Sequence, residues 1–150
     1  MIEMSNTQCR DYAIPLIYEC MGEIVGQKAE ALWVGAEGEQ SGLYGWFDGD
    51  RLVGIAGVGS ELSKRKVWLG YFAVHLDYRR KGLGAKMLAF IEGVMRQRGY
   101  REIFIETYDH PTFAAACALY EKAGYKRIGE LPEFLDDGSD ALFYRKKLIS

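Results

Sequence analysis

Apolar residues recur along this chain with two periods, one helical and one of strands, and the alternation between them sets out the order of elements. From about Asp11 to Gly22, Ile14, Ile17, Tyr18 and Met21 fall at helical spacing. A second helix is expected over Gln27–Gly35, carrying Ala29, Leu32 and Trp33, and a short strand over the first four residues. Leu43–Phe47 and Leu52–Val58 are β-rich runs joined by Asp48-Gly49-Asp50, which predicts a hairpin. The glycines in Val53-Gly54-Ile55-Ala56-Gly57-Val58 mark a strand that another element approaches closely. Val67–Val74 is a further strand. Gly82–Arg98 then reads as a helix with Leu83, Met87, Leu88, Ile91, Val94 and Met95 on one stripe, ended by Gly99. Glu102–Thr107 is a strand, and a helix from about Thr112 to Ala123 follows, with Pro111 at its start and Gly124 as its stop. Lys126–Leu131 and Ala141–Leu148 are the last strands, flanking a turn at Asp136-Asp137-Gly138.

This order predicts a mixed sheet. The strand–helix–strand unit from Val67 to Thr107 is expected to be a right-handed parallel crossover, while the hairpins add antiparallel neighbours. The class is α/β or α+β, and not a doubly wound Rossmann sheet. With 150 residues and no repeat, low-complexity tract or Pro/Ser-rich linker, the expectation is a single domain over residues 1–150.

Composition narrows the chemistry. The charged fraction is 27% and the net charge −2, which argues against a general nucleic-acid binder. Cys9, Cys20 and Cys117 are odd in number and share no metal-ligand spacing. With only His75 and His110 besides, no metal site is expected. The early residues MIEMSNTQCRDY hold no signal-like apolar stretch, and no 18 apolar residues run together. The expectation is a cytoplasmic protein with no membrane or nucleic-acid partner.

One segment carries candidate chemistry. Between the Val67–Val74 strand and the following helix lies His75-Leu76-Asp77-Tyr78-Arg79-Arg80-Lys81-Gly82-Leu83-Gly84. Glycines admit a ligand close to the backbone, unpaired N–H groups of a first helical turn point outward, and three cations surround the spot. A pyrophosphate suits such a cradle; a glycine-bearing turn with solvated basic residues is the plainer alternative. The P-loop pattern is absent, as are the third glycine and the acidic residue of a dinucleotide fingerprint.

Phe72-Ala73-Val74 followed by Arg79-Arg80-Lys81-Gly82-Leu83-Gly84 resembles the Arg/Gln-x-x-Gly-x-Gly/Ala motif of the GNAT superfamily of acyl-CoA-dependent N-acyltransferases. The resemblance extends from Leu43 to Leu148. It implies a mixed, mostly antiparallel sheet with one parallel crossover and helices on both faces. It also implies that the segment from Arg79 and Arg80 through Lys81, Gly82, Leu83, Gly84 and Ala85 binds the pyrophosphate of acetyl-CoA. Phe72, Ala73 and Val74 would offer backbone groups to the pantetheine arm.

Ala118-Leu119-Tyr120-Glu121-Lys122-Ala123-Gly124-Tyr125 is similar to the same family's Tyr-x-x-x-Gly-Phe/Tyr helix end. Carried over, Tyr120 would protonate the departing thiolate. Its place in the stripe Phe113, Ala116, Cys117, Tyr120 is equally that of a core aromatic. Two positions depart from the family: Phe113 stands where many relatives have Asn, and Trp68 where some have a basic Glu. The base that deprotonates the amine is open among Glu106, Asp109, His110 and Tyr71, with Glu106 preferred for its place at a strand's C-terminal end.

The resemblance therefore implies an N-acetyltransferase moving an acetyl group from acetyl-CoA to a primary amine by direct attack in a ternary complex. The alternative is a coenzyme-binding sensor or interaction module on the same fold. The acceptor, a small molecule or a peptide amine, is not named by the sequence, and a homodimer is left open.

Overall fold

The computed structural model describes residues 2–3, 13–22, 41–59 and 64–149. The helix expected over Gln27–Gly35 lies outside them. Seven strands form one sheet: β1 (Ile2–Glu3), β2 (Ser41–Asp48), β3 (Arg51–Gly59), β4 (Lys66–Val74), β5 (Glu102–Tyr108), β6 (Lys126–Leu131) and β7 (Ala141–Lys147), in the order β1-β2-β3-β4-β5-β7-β6. Only β4 and β5 pair in parallel; every other neighbour is antiparallel. The helices are α1 (residues 14–22), α2 (Leu83–Gln97) and α3 (Ala114–Lys122).

The predicted stripe of α2 is the one that folds inward. Met87, Leu88, Ile91 and Met95 are buried against Val67, Leu69, Ile103 and Ile105 of β4 and β5. Tyr120 of α3 and Tyr125 join the same cluster. Ile14 and Ile17 of α1 pack instead with Leu52, Ile55 and Ala73. Along β4, Leu69 and Phe72 face one layer and Ala73 the other, so helices cover both faces of the sheet. The helix expected from Thr112 begins later. Pro111–Phe113 is a 3₁₀ turn whose first N–H, that of Thr112, donates to the His110 ring, and α3 proper starts at Ala114.

Gly54 shows what the glycines of β3 are for. A Cβ there would stand 2.6 Å from the Met87 sulfur, so α2 rests directly on bare backbone. Met87 is fully buried, so its thioether end would have to repack within the core to make room. Gly54→Ala is expected to lower unfolding free energy by about 1–3 kcal/mol in urea titration. A neutral effect would show that α2 does not sit on β3 as described.

Candidate active site

The site begins with a fault in β4. Ile55 pairs with Ala73 and Gly57 with Gly70, so Tyr71 and Phe72 together oppose the single residue Ala56. This is a β-bulge, and Tyr71 takes φ +48°, a strained value for a residue with a side chain. A bulge bends its strand. Parallel pairing with β5 stops at Leu69↔Ile105, although β4 runs on to Val74 and β5 to Tyr108. Beyond that point the two strands leave a wedge.

The wedge leads to the cradle. Arg80 and Gly82 hold φ of +63° and +79°, the second at the position capping α2, where no side chain caps the helix. The first N–H bonded within the helix is that of Lys86, donating to the Gly82 carbonyl at 3.2 Å. Among the described residues the amides of Leu83, Gly84 and Ala85 therefore have no partner at the helix's positive end, and no acidic residue occupies the first turn. Gly84 serves closeness, since a Cβ there would lie 3.1 Å from Leu119 of α3. The preceding turn, Leu76–Tyr78, is clamped to the β2–β3 hairpin: Arg51 bonds Asp77 at 3.1 Å and the Tyr78 hydroxyl donates to Asp48.

A cavity of about 790 Å³ joins wedge and cradle. Phe72, Ala73, Val74, Arg79, Arg80, Gly82, Leu83, Gly84 and Ala85 line it, bringing together every coenzyme-binding residue expected from the sequence except Lys81. Lys81 is exposed and lies 5.6 Å over the Tyr78 ring. Cys20 and Met21 of α1 also line the cavity, so it is walled from both faces of the sheet. Its far wall holds an ion pair between buried Glu92 and half-buried Lys146. Lys146 donates to both Glu92 oxygens (3.0 and 3.1 Å) and to the Ala123 carbonyl (2.8 Å), while the Tyr125 hydroxyl donates to Glu92 at 2.8 Å. This network ties α2, the end of α3 and β7 into one wall.

Tyr120 does not line the cavity but lies one layer behind it, 3% exposed. Its ring is 6.0 Å from Phe72 of β4 and 6.0 Å from Tyr144 of β7, so it straddles β5 over the closed end of the wedge. Burial pushes its phenol well above the ordinary tyrosine range. Glu106 follows the last β5 residue paired with β4 and accepts from the Tyr108 hydroxyl at 3.1 Å. It is half-buried, faces away from the buried Ile105 and Thr107, and does not line the cavity. Burial, then the Glu106 charge, raises the Tyr108 phenol. His110 is taken by its cap and by Asp137 at 3.6 Å. Among the described residues no helix is long and apolar enough to cross a membrane, and no three ligating side chains gather to hold a metal.

The model of the acetyltransferase (GNAT) family matches residues 6–125. This chain belongs to the GNAT acetyltransferase family. The chain is 30% identical to N-alpha-acetyltransferase 30 of Schizosaccharomyces pombe over 65% of its own length and 66% of that protein's. Over the curated relatives it matches, it spans 66% of the length or less. In fold it is similar to a GNAT-family acetyltransferase from Desulfovibrio desulfuricans (TM-score 0.83, 22% identity, 98% of this chain and 97% of that one). An aminoglycoside 6′-N-acetyltransferase complexed with coenzyme A gives TM-score 0.82 at 20% identity, covering 100% of this chain and 98% of that one.

Within this GNAT fold, sequence reasoning missed the wall residues Cys20, Met21, Glu92, Lys122 and Lys146. Cys20 and Met21 fell within the expected first helix and left no further signal. Glu92 carried one: a carboxylate between the stripe residues Ile91 and Met95 is out of place unless a cation meets it. Removing that cation in Lys146→Met is expected to cost about 2–4 kcal/mol in chemical denaturation. Adding Glu92→Leu should recover part of the loss; a double variant no better than the single one would contradict the pairing.

Proposed function

We propose that this chain is an N-acetyltransferase that moves an acetyl group from acetyl-CoA to a primary amine by direct attack within a ternary complex. The observation that carries this reading is the unpaired edge of β4 running straight into the cradle. An extended amide-bearing arm finds a strand edge there, and a diphosphate finds a helix N-terminus at its end.

The residues present fit that group. Backbone N–H groups from Arg80 to Ala85 suit the diphosphate, with Arg80 and Lys81 supplying charge and Arg79 bonded to the Val74 carbonyl. Phe72 and Val74 offer the strand edge, and Ala73 between them seats β4 on β3. The names N-alpha-acetyltransferase and aminoglycoside 6′-N-acetyltransferase, borne by relatives, both denote acetyl transfer to nitrogen. The free thiols of Cys20 and Cys117 support a reducing, cytoplasmic setting.

Glu106 is the proposed base, on the β5 face opposite Tyr120. It takes the proton from the acceptor ammonium, with the Tyr108 hydroxyl holding its carboxylate in place. The freed amine attacks the thioester carbonyl and the C–S bond breaks. Tyr120, one layer behind the cavity at the closed end of the wedge, is the donor that gives the leaving sulfur its proton, and the second proton lost by the nitrogen as the amide forms restores the phenol. A phenol whose pKa is raised keeps that proton at neutral pH and above.

Tyr120→Phe is expected to lower kcat about 100-fold with coenzyme affinity unchanged, read by free-thiol release across a panel of small-molecule and peptide amines. Because the pKa is raised and not lowered, the wild-type kcat should show no decline from phenol ionisation below pH about 10. Coenzyme binding with no thiol release for any amine would replace this reading by that of a binding module.

A further inference from the structure

We infer that Arg79 is a positioning residue, whose guanidinium occupies the Val74 carbonyl and so fixes the register of an extended arm along β4. This rests on the proposed coenzyme A site.

The geometry begins with the alternation of a strand. The His75 N–H donates to the Val53 carbonyl at 2.8 Å, and Ala73 stands opposite Ile55 two residues earlier. Backbone groups of Ala73 and His75 therefore point to β3, and those of Phe72 and Val74 point away from it, toward the wedge. Pairing with β5 has already ended at Leu69, so no strand takes them. The Val74 carbonyl, however, is occupied. Arg79 Nε donates to it at 3.1 Å, and the Cys20 thiol approaches it at 3.4 Å from α1.

What remains at the wedge is the Phe72 N–H, the Phe72 carbonyl and the Val74 N–H, of which the last two make the acceptor and donor nearest the cradle for one arm amide. Were the Val74 carbonyl free, the same amide could slide two residues toward the cradle and pair there instead. A slip of two keeps the facing of every group, so alternation alone does not forbid it. Arg79 does. It also fastens the first residue of the cradle to the end of β4, which sets the distance between the diphosphate seat and the strand edge.

A charge on a phosphate and a donor on a carbonyl make opposite demands at position 79. Glutamine places its amide nitrogen as many bonds from Cα as arginine Nε, without charge. Lysine keeps the charge but has a methylene at that point. The test is calorimetric titration with coenzyme A and with adenosine 3′-phosphate 5′-diphosphate, which has the nucleotide and diphosphate but no arm. Thermal melts and circular dichroism check that each variant is folded. Arg79→Lys should bind coenzyme A about tenfold more weakly than wild type and the arm-less nucleotide within about twofold, while Arg79→Gln binds coenzyme A within about threefold. In turnover, Arg79→Lys should raise KM and lower kcat together, and Arg79→Gln should restore both. The reverse order, with lysine preserving both ligands and glutamine weakening both, makes Arg79 a phosphate cation and overturns the inference alone. A wild-type protein that binds neither ligand overturns the acyltransferase reading beneath it.

Discussion

The parting of β4 from β5 is the constraint on which the rest of this molecule depends. A parallel pair is expected to hydrogen-bond along its whole shared length, and here it stops four residues in, at Leu69 and Ile105. The cause is local: one extra residue in β4, with Tyr71 in a left-handed conformation, turns the strand away. Unpaired backbone is costly in a buried sheet unless something else bonds it. Here part of that demand is met from the cradle, by Arg79 on the Val74 carbonyl.

The surrounding packing holds the fault open. Gly54 lets α2 lie directly on β3, which brings the N-terminus of α2 to the end of β4. Gly84 lets α3 approach that same turn through Leu119. The Arg51–Asp77 and Tyr78–Asp48 contacts brace the cradle against the hairpin, and Lys146 with Glu92 braces the opposite wall. The cradle and Tyr120 lie on the side of α2 and α3, Glu106 faces away from Ile105 and Thr107 of that layer, and the Tyr108 ring packs 5.2 Å from Phe113.

Much of this was legible in the sequence, for identifiable reasons. The α2 stripe and the hairpin follow from periodicity and turn chemistry, and the bounds of β2 to β7, α2 and α3 shifted by two residues at most, the start at Thr112 because a 3₁₀ turn precedes the helix. The cradle was readable because glycines and cations are local in the chain. The bulge was not, because Tyr71 carries no glycine to betray its positive φ. Its strain is imposed by the pairing of β3, which no local pattern reports. Cys20 and Lys146 enter the cavity from opposite ends of the chain, and only the tertiary fold brings them there. The Arg79 side chain was read as a phosphate cation from its charge, whereas its Nε is directed to a carbonyl.

The most direct measurement is amide hydrogen exchange at Val74 and Ala85, with and without coenzyme A. Val74 has no strand partner on the wedge side, and Ala85 lies in the uncapped first turn of α2. Both should exchange fast in the free protein and become protected together on coenzyme A binding, while the central amides of β7 stay unchanged. Binding of coenzyme A that leaves both amides as fast as before would contradict the account, because the ligand would then sit neither along β4 nor in the cradle.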